Sequence, residues 1–371
     1  MKKDPRIQEL ARRVLRDSVQ LRRGEKVYLE FEGEQTLPLM EEMIKEAIAL
    51  GAVPFHFFND TCHHVALVHG ATEQQVADYG RLHAEIMKKM DAYVVVRGYQ
   101  NPYDGSVMSE KEQALYNRCF MGPVHFDVRF EKTRWCVLRY PTNAAASLAR
   151  MSTSEFEDFY FNACLMDYGL MNLRAKKLAE LINRTDKVRI IAPGTDLSFS
   201  VKGIPATICC GKRNLPDGEV FTSPVKDSVN GSITFNTESK INGNMFSHIA
   251  LKVEAGKVFN AQAGRGDANK LVSTIYTDAG SCYFGEFAFG LNRFVTREIC
   301  ENLFDEKIAG SIHLALGNSI KSSDNGNRSS IHWDLVQIQT QECGGGEIWF
   351  DDVLIRKNGE FILPDLRALN P

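Results

Sequence analysis

Apolar positions in the first half of the chain alternate between a helical and a strand-like period. Ile7, Leu10, Val14 and Leu15 form one helical stripe, with Gly24 as a stop. The run KVYLEF that follows reads as a strand. Leu39, Met43, Ile44, Ala47 and Ile48 make a second stripe ending at Gly51, and VPFHFF is the next strand. Thr72 and Gln75 have the spacing of a capping box ahead of another helix. AYVVVRG is a continuous apolar run, as expected of a strand covered on both faces, and RWCVLRYP is a further strand. Strand and helix in alternation predict a parallel α/β sheet. A helical stretch from about Ser154 to Leu181 closes this part, carrying Phe156, Tyr160, Ala163 and Cys164, then Leu170, Leu173, Leu178 and Leu181. The expected first domain is therefore 1–185.

Beyond INRTDKVRI the period changes to two. VRIIAP, DLSFSV, SITFNT, HIALKVE, KVFNAQA and EIWFDDVLI are short strands split by Gly, Asn and Asp turns. The second domain, 186–371, should be mainly β and barrel-like. The fold class expected is α/β plus α+β.

Composition narrows the function classes. The 371 residues carry 44 Lys and Arg against 47 Asp and Glu, a net charge of −3, so no nucleic-acid or membrane-surface partner is advertised. The start MKKDPRIQEL lacks an apolar core and does not read as a signal peptide. No run approaches the roughly 18 apolar residues of a membrane span. Nine cysteines without a Cys-x-x-Cys pair read as reduced thiols, which points to the cytoplasm. No Gly-x-Gly-x-x-Gly follows a strand and no Walker sequence occurs, so the first half reads as scaffold and dimerisation domain instead of a nucleotide site.

The candidate chemistry lies in the last third. In SSIHWDLV, side chains two apart on a strand share a face, which puts His332 beside Asp334 and packs Ile331, Trp333 and Leu335 on the other side. Imidazole and carboxylate side by side suit zinc, cobalt or manganese, although a plain His–Asp hydrogen bond would look the same. His313 in SIHLALGNS is similarly placed, and a hairpin over the Gly/Asn/Ser-rich loop would bring it to His332. Glu286 lies among Phe284, Phe287 and Phe289, where a buried carboxylate needs either a cation such as Arg293 or a metal. Glu219, after the Pro216–Gly218 turn, reads alone as a surface acid. Asp351 and Asp352 read as a hairpin edge, and His63 and His64 beside Cys62 as a polar loop.

At these residues the chain resembles the thermophilic-type metallo-aminopeptidases, the aminopeptidase T, aminopeptidase S and PepS group. The blocks that carry the resemblance are RYPTNAAASLARMSTSEFEDF, GTDLSFSVKG, NLPDGEVFTSPVKDSVNG, GEFAFGLN, LFDEKIAGSIHLALGNS and SSIHWDLV, spread over nearly the whole chain. The resemblance implies a homodimer of two-domain subunits, the C-terminal domain being metal-binding and catalytic. Two divalent ions are implied, typically cobalt or zinc, with manganese or magnesium as alternatives. The implied substrates are peptides with a free N-terminus. The implied ligands are Glu219, Glu286, His313, His332 and Asp334, and Glu286 is the residue expected to act as ligand or to help deprotonate the attacking water. One position departs. The family has a tyrosine seven residues after its first histidine, and here Ile320 stands in GNSI. Isoleucine neither stabilises an oxyanion nor moves a proton. Lys321, Arg328 and Tyr283 are the candidate replacements. A metal- or peptide-binding protein of low activity, and a hydrolase of another amide, are the alternatives this departure raises.

Overall fold

The computed structural model describes residues 4–101, 104–241 and 243–371. The chain forms two compact units, Met1–Leu165 with Gly211–Pro216, and Met166–Cys210 with Asp217–Pro371. The change of unit comes earlier than the expected boundary at 185. The helical stretch is two helices, Thr153–Cys164 and Tyr168–Arg184. Asp167 caps the second, its carboxylate accepting from the Leu170 N–H at 2.9 Å, and this cap starts a new helix where periodicity suggested a continuous one. The second helix buries Met171, Ala175, Leu178 and Ile182 with Val188, Ile190 and Phe199, all in the second unit. Leu170 and Leu173, expected on the packed stripe, are exposed.

The first unit contains a wholly parallel sheet in the order Val53–Asn59, Lys26–Glu32, Ala92–Arg97, Arg134–Arg139, Asn214–Leu215. The last strand comes from the returning segment and was not legible in the sequence. The direction of winding reverses between the strands ending at Glu32 and Arg97, where doubly wound sheets usually take ligands. Here backbone fills that place. Gly33 has φ +89°, and a Cβ on it would come within 2.0 Å of the Gly98 carbonyl oxygen. His63 and His64 lie in the helix Thr61–Val68, capped by Asp60, and not in a polar loop.

The second unit is built of two antiparallel sheets, not one barrel-like sheet. One has eight strands, with Asn230–Ile241, Asn244–Glu254 and Lys257–Arg265 at one side. The other has five, in the order His332–Ile338, Ser311–Gly317, Phe284–Gly290, Glu219–Thr222, Thr207–Cys209. Phe287, Phe289, Ile312, Leu314, Leu316, Trp333 and Leu335 share a core with Ile233, Phe235, Phe246 and Ile249 of the larger sheet. Each such side chain contributes about 1.5–3 kcal/mol on burial. Asp351 and Asp352, with φ of 45° and 66°, form the tight turn between Glu347–Phe350 and Val353–Lys357, as read from the sequence. Among the described residues no helix is long and apolar enough to cross a membrane.

Candidate metal centre

One face of the five-stranded sheet packs into the core, so by alternation the other collects the polar positions. Register decides what they meet. Glu219 pairs with Gly290, Glu286 with Ala315, His313 with Ala288, Asp334 with Ala315 and His332 with Gly317. Each of these polar side chains thus has an alanine or glycine beside it on one neighbouring strand, while His313 also faces Val336 and Glu219 also faces Cys209. The small residues leave room for five large polar groups to converge within the second unit.

They do converge. His313 Nε2 lies 3.3 Å from Glu286 Oε1 and 3.5 Å from Glu219 Oε2. His332 Nε2 lies 3.3 Å from Glu286 Oε2 and 3.3 Å from Asp334 Oδ1. Ligand atoms of Glu219, Glu286 and His313 fall within 4.8 Å of one another, and so do those of Glu286, His332 and Asp334. Glu286 belongs to both triads, one oxygen facing each histidine. The hairpin brings His313 near His332, and His332 Nδ1 is 2.7 Å from the Asn318 carbonyl oxygen. With Nδ1 donating there, Nε2 is turned toward the carboxylates. Two expectations are corrected. Glu219 is 5% exposed and not a surface acid. Glu286 faces the two histidines and not Arg293, whose guanidinium is 3.4 Å from the Asn370 carbonyl.

Electrostatics follows from crowding. Burial opposes charge on His313, but the Glu286 hydrogen bond and the Glu219 charge outweigh it and push its pKa up to about 9. Burial likewise opposes charge on His332, and Asp334 and Glu286 overcome it, raising the pKa. Burial would raise Glu286, yet its hydrogen bonds from both imidazoles hold it below the ordinary value. Glu219 Oε2 is buried without a hydrogen-bond partner. An orphaned carboxylate oxygen 3.5 Å from an imidazole nitrogen fits a cation ligand, since such an atom is costly to leave unpaired.

Sequence reasoning missed the group beside this face. Lys307, 1% exposed, places Nζ 2.7 Å from Glu219 Oε1, 2.7 Å from Glu306 Oε1 and 3.9 Å from Asp217 Oδ1. Its pKa is raised, because Glu219, Glu306 and Asp217 outweigh burial. Glu306 is pushed up to about 8, by burial first and then by Asp334 and Glu219, against the pull of Lys307. Glu306 also forms a close group with His313 and Asp334, and Cys209 with Asp217 and Glu219. A signal existed in LFDEKIAG, where a lysine follows two acids just before an apolar strand. Only the fold shows that it turns inward. Gly290 permits this: a Cβ there would come within 2.2 Å of the Ile308 carbonyl oxygen, so the missing side chain lets the segment carrying Lys307 lie against the strand beside Glu219.

Ile320 begins a firmly held loop and is 37% exposed. Asn325 Nδ2 donates to the Pro224 and Phe284 carbonyls, Asn327 Nδ2 to those of Gly280 and Gly317, and Ser330 N–H to Asp278. Of the residues considered as replacements for the tyrosine, Arg328 is paired with Asp324 at 2.7 Å and Tyr283 lies under the Lys226 ammonium at 4.6 Å. Lys321 opens the short helical turn Lys321–Ser323.

A carboxylate–imidazole face of this kind defines a class of proteins that bind divalent cations through oxygen and nitrogen ligands. The family model described as thermophilic metalloprotease (M29) matches residues 3–361, and the chain belongs to that family. It is 23% identical over 367 residues to Aminopeptidase 2 of Geobacillus stearothermophilus, covering 86% of this chain and 87% of that protein. It is 30% identical over 128 residues to Aminopeptidase AmpS of Bacillus subtilis, covering 33% of this chain and 30% of that protein. Among solved structures, wild-type AmpT from Thermus thermophilus superposes with a TM-score of 0.83 at 19% identity, over 97% of this chain and 99% of that one. A 2,5-dihydroxypyridine dioxygenase from Pseudomonas putida superposes with a TM-score of 0.60 at 12% identity, over 97% and 98%. At these identities both likenesses concern the fold alone.

Proposed function

We propose that this chain is a dinuclear metal-dependent aminopeptidase that hydrolyses the N-terminal peptide bond of peptides. The observation that carries the reading is the pair of triads sharing Glu286. Charge supports it. Glu219, Glu286 and Asp334 bring three carboxylates to the two triads, negative charge that divalent ions would offset.

Glu219, Glu286 and His313 would hold one ion and Glu286, His332 and Asp334 the other. Divalent ions held there would supply an activated water and polarise the scissile carbonyl. Glu286, common to both triads, would act as a ligand or help to take the proton from that water. Asn318 holds the His332 ring in its working orientation through the 2.7 Å contact. On the same reading the ions are cobalt or zinc, the working form a homodimer and the compartment the cytoplasm.

Ile320 favours a second reading, a weakly active metal- or peptide-binding relative or a hydrolase of another amide. An oxyanion donor is ordinarily worth about 3–4 kcal/mol, so its loss would slow turnover about 10²–10³-fold without touching metal uptake. The test is cleavage of leucine p-nitroanilide and free dipeptides by metal-stripped protein, before and after adding cobalt, zinc or manganese, with Ile320→Tyr in parallel. Metal-restored release of the N-terminal residue supports the aminopeptidase. A large gain in Ile320→Tyr supports an impaired one. Tight metal uptake with no cleavage by either protein would sink the first reading.

A further inference from the structure

The buried Lys307 has no part in the proposed reaction, yet it touches one of its ligands. The close group formed by Cys209, Asp217 and Glu219 offers sulfur and oxygen atoms within 4.8 Å, the makings of a third cation place. Lys307 Nζ is already beside it, 2.7 Å from Glu219 and 3.9 Å from Asp217, and it is secured on its far side by Glu306. Glu219 is therefore divided between two partners. Oε1 is bound to the ammonium, and Oε2 remains buried, without a hydrogen bond, 3.5 Å from His313.

The fold makes this division deliberate in geometry. The Asn292 N–H donates to the Lys307 carbonyl at 3.0 Å, and Asn292 Nδ2 donates to the Asp217 carbonyl at 2.8 Å. The Leu291 N–H reaches the Gly218 carbonyl at 2.9 Å. The end of the Phe284–Gly290 strand thus clamps the turn that leads into Glu219 to the segment that carries Lys307. Neither can shift without the other.

We propose that Lys307 is a positioning residue of the metal centre: its ammonium fills the third cation place and restricts Glu219 to one-oxygen ligation through Oε2. The proposal rests on reading the face as a metal centre. It adds that the number of ions is held at two by a lysine, and that the ion beside Glu219 depends on Lys307 whereas the ion beside Asp334 does not. Groups that orient metal ligands from behind typically change metal affinity about 10–100-fold when removed.

The test is calorimetric titration of metal-stripped wild type, Lys307→Met and Lys307→Gln with cobalt, alongside the cobalt absorption spectrum and thermal melting as a control of folding. Wild type should take up two equivalents. Lys307→Met should weaken one of them about 10–100-fold and change its spectrum, leaving the other as it was. Lys307→Gln keeps a donor for Glu219 Oε1 and should recover much of the loss. Equal weakening of both equivalents, no weakening, or tighter binding in Lys307→Met would overturn the proposal. So would a loss that Lys307→Gln does not relieve. Uptake of fewer than two equivalents by wild type would count against the dinuclear reading instead, and the contrast between wild type and Lys307→Met on the remaining ion would still decide the role of Lys307. Should Lys307→Met fail to fold, Asp217→Asn loosens the ammonium while leaving the turn its shape. The same selective weakening is then expected in milder form, and an unchanged titration would refute the proposal.

Discussion

Metal uptake should expel protons, and the number can be worked from the site. In the metal-free protein His313 titrates at about 9 and His332 is also raised, because each imidazole sits against two carboxylates. At pH 7 both rings are protonated, and a proton on each Nε2 stands where a metal would be held. A ring nitrogen must be neutral to be a ligand. Two ions should therefore displace at least two protons at pH 7. For His313 the penalty at pH 7 is about 2.7 kcal/mol relative to a neutral ring, so apparent affinity should rise about tenfold per pH step. Stability of the metal-free protein carries the opposite trend. A histidine raised in the folded state stabilises fully below its unfolded value near 6.5, and that contribution is lost as pH rises toward about 9. This amounts to about 3 kcal/mol for His313 alone. The assay is titration calorimetry with zinc or cobalt at pH 6, 7 and 8 in buffers of differing ionisation enthalpy. Binding heats independent of buffer, with affinity flat across this range, would refute the reasoning: the rings would then be neutral before metal arrives, or would not be ligands.

Two other predictions concern the scaffold. His125 is buried, accepts a hydrogen bond from Arg129 Nε at 3.1 Å, and is depressed to about 3 by burial first and the Arg129 charge second. A depressed histidine leaves the unfolded chain binding more protons below pH 6.5, so stability falls with acid; His125→Gln should spare up to about 2–3 kcal/mol of the loss between pH 6.5 and 4.5 in urea unfolding. An equal acid slope in wild type and variant would contradict this. Gly290→Ala drives a Cβ to within 2.2 Å of the Ile308 carbonyl oxygen, and should cost about 1–3 kcal/mol and weaken metal uptake by pushing the Lys307 segment off Glu219. Unchanged melting and unchanged uptake would show that the segment does not lean on Gly290.

Local pattern carried further than its short range suggests. Period-two alternation placed His332 and Asp334 on one face and Trp333 and Leu335 on the other, and the strand His332–Ile338 has that arrangement. The Gly/Asn/Ser run announced the hairpin that pairs Gly317 with His332. The β-branched run AYVVVR lies inside a parallel sheet, paired at both edges and with Ala92–Val96 buried on both faces. These features are decided by residues two to twenty apart. The sequence by itself thus determined the parallel first sheet, the antiparallel strands and the direction in which each polar side chain leaves its strand. Other features depend on partners far along the chain. Glu219 looked like a surface acid until pairing with Gly290 and Phe289 took its strand inside. Lys307 follows two acids in LFDEKIAG, and only the approach of its segment to a side-chain-free glycine turns it inward. The unit boundary moved to 165 because Met171, Ala175 and Leu178 find their apolar partners at Val188 and Phe199, in the strands that follow. Tertiary structure alone decided these points, since burial and charge pairing are properties of what approaches a residue from elsewhere, and alternation along a strand carries no information about that.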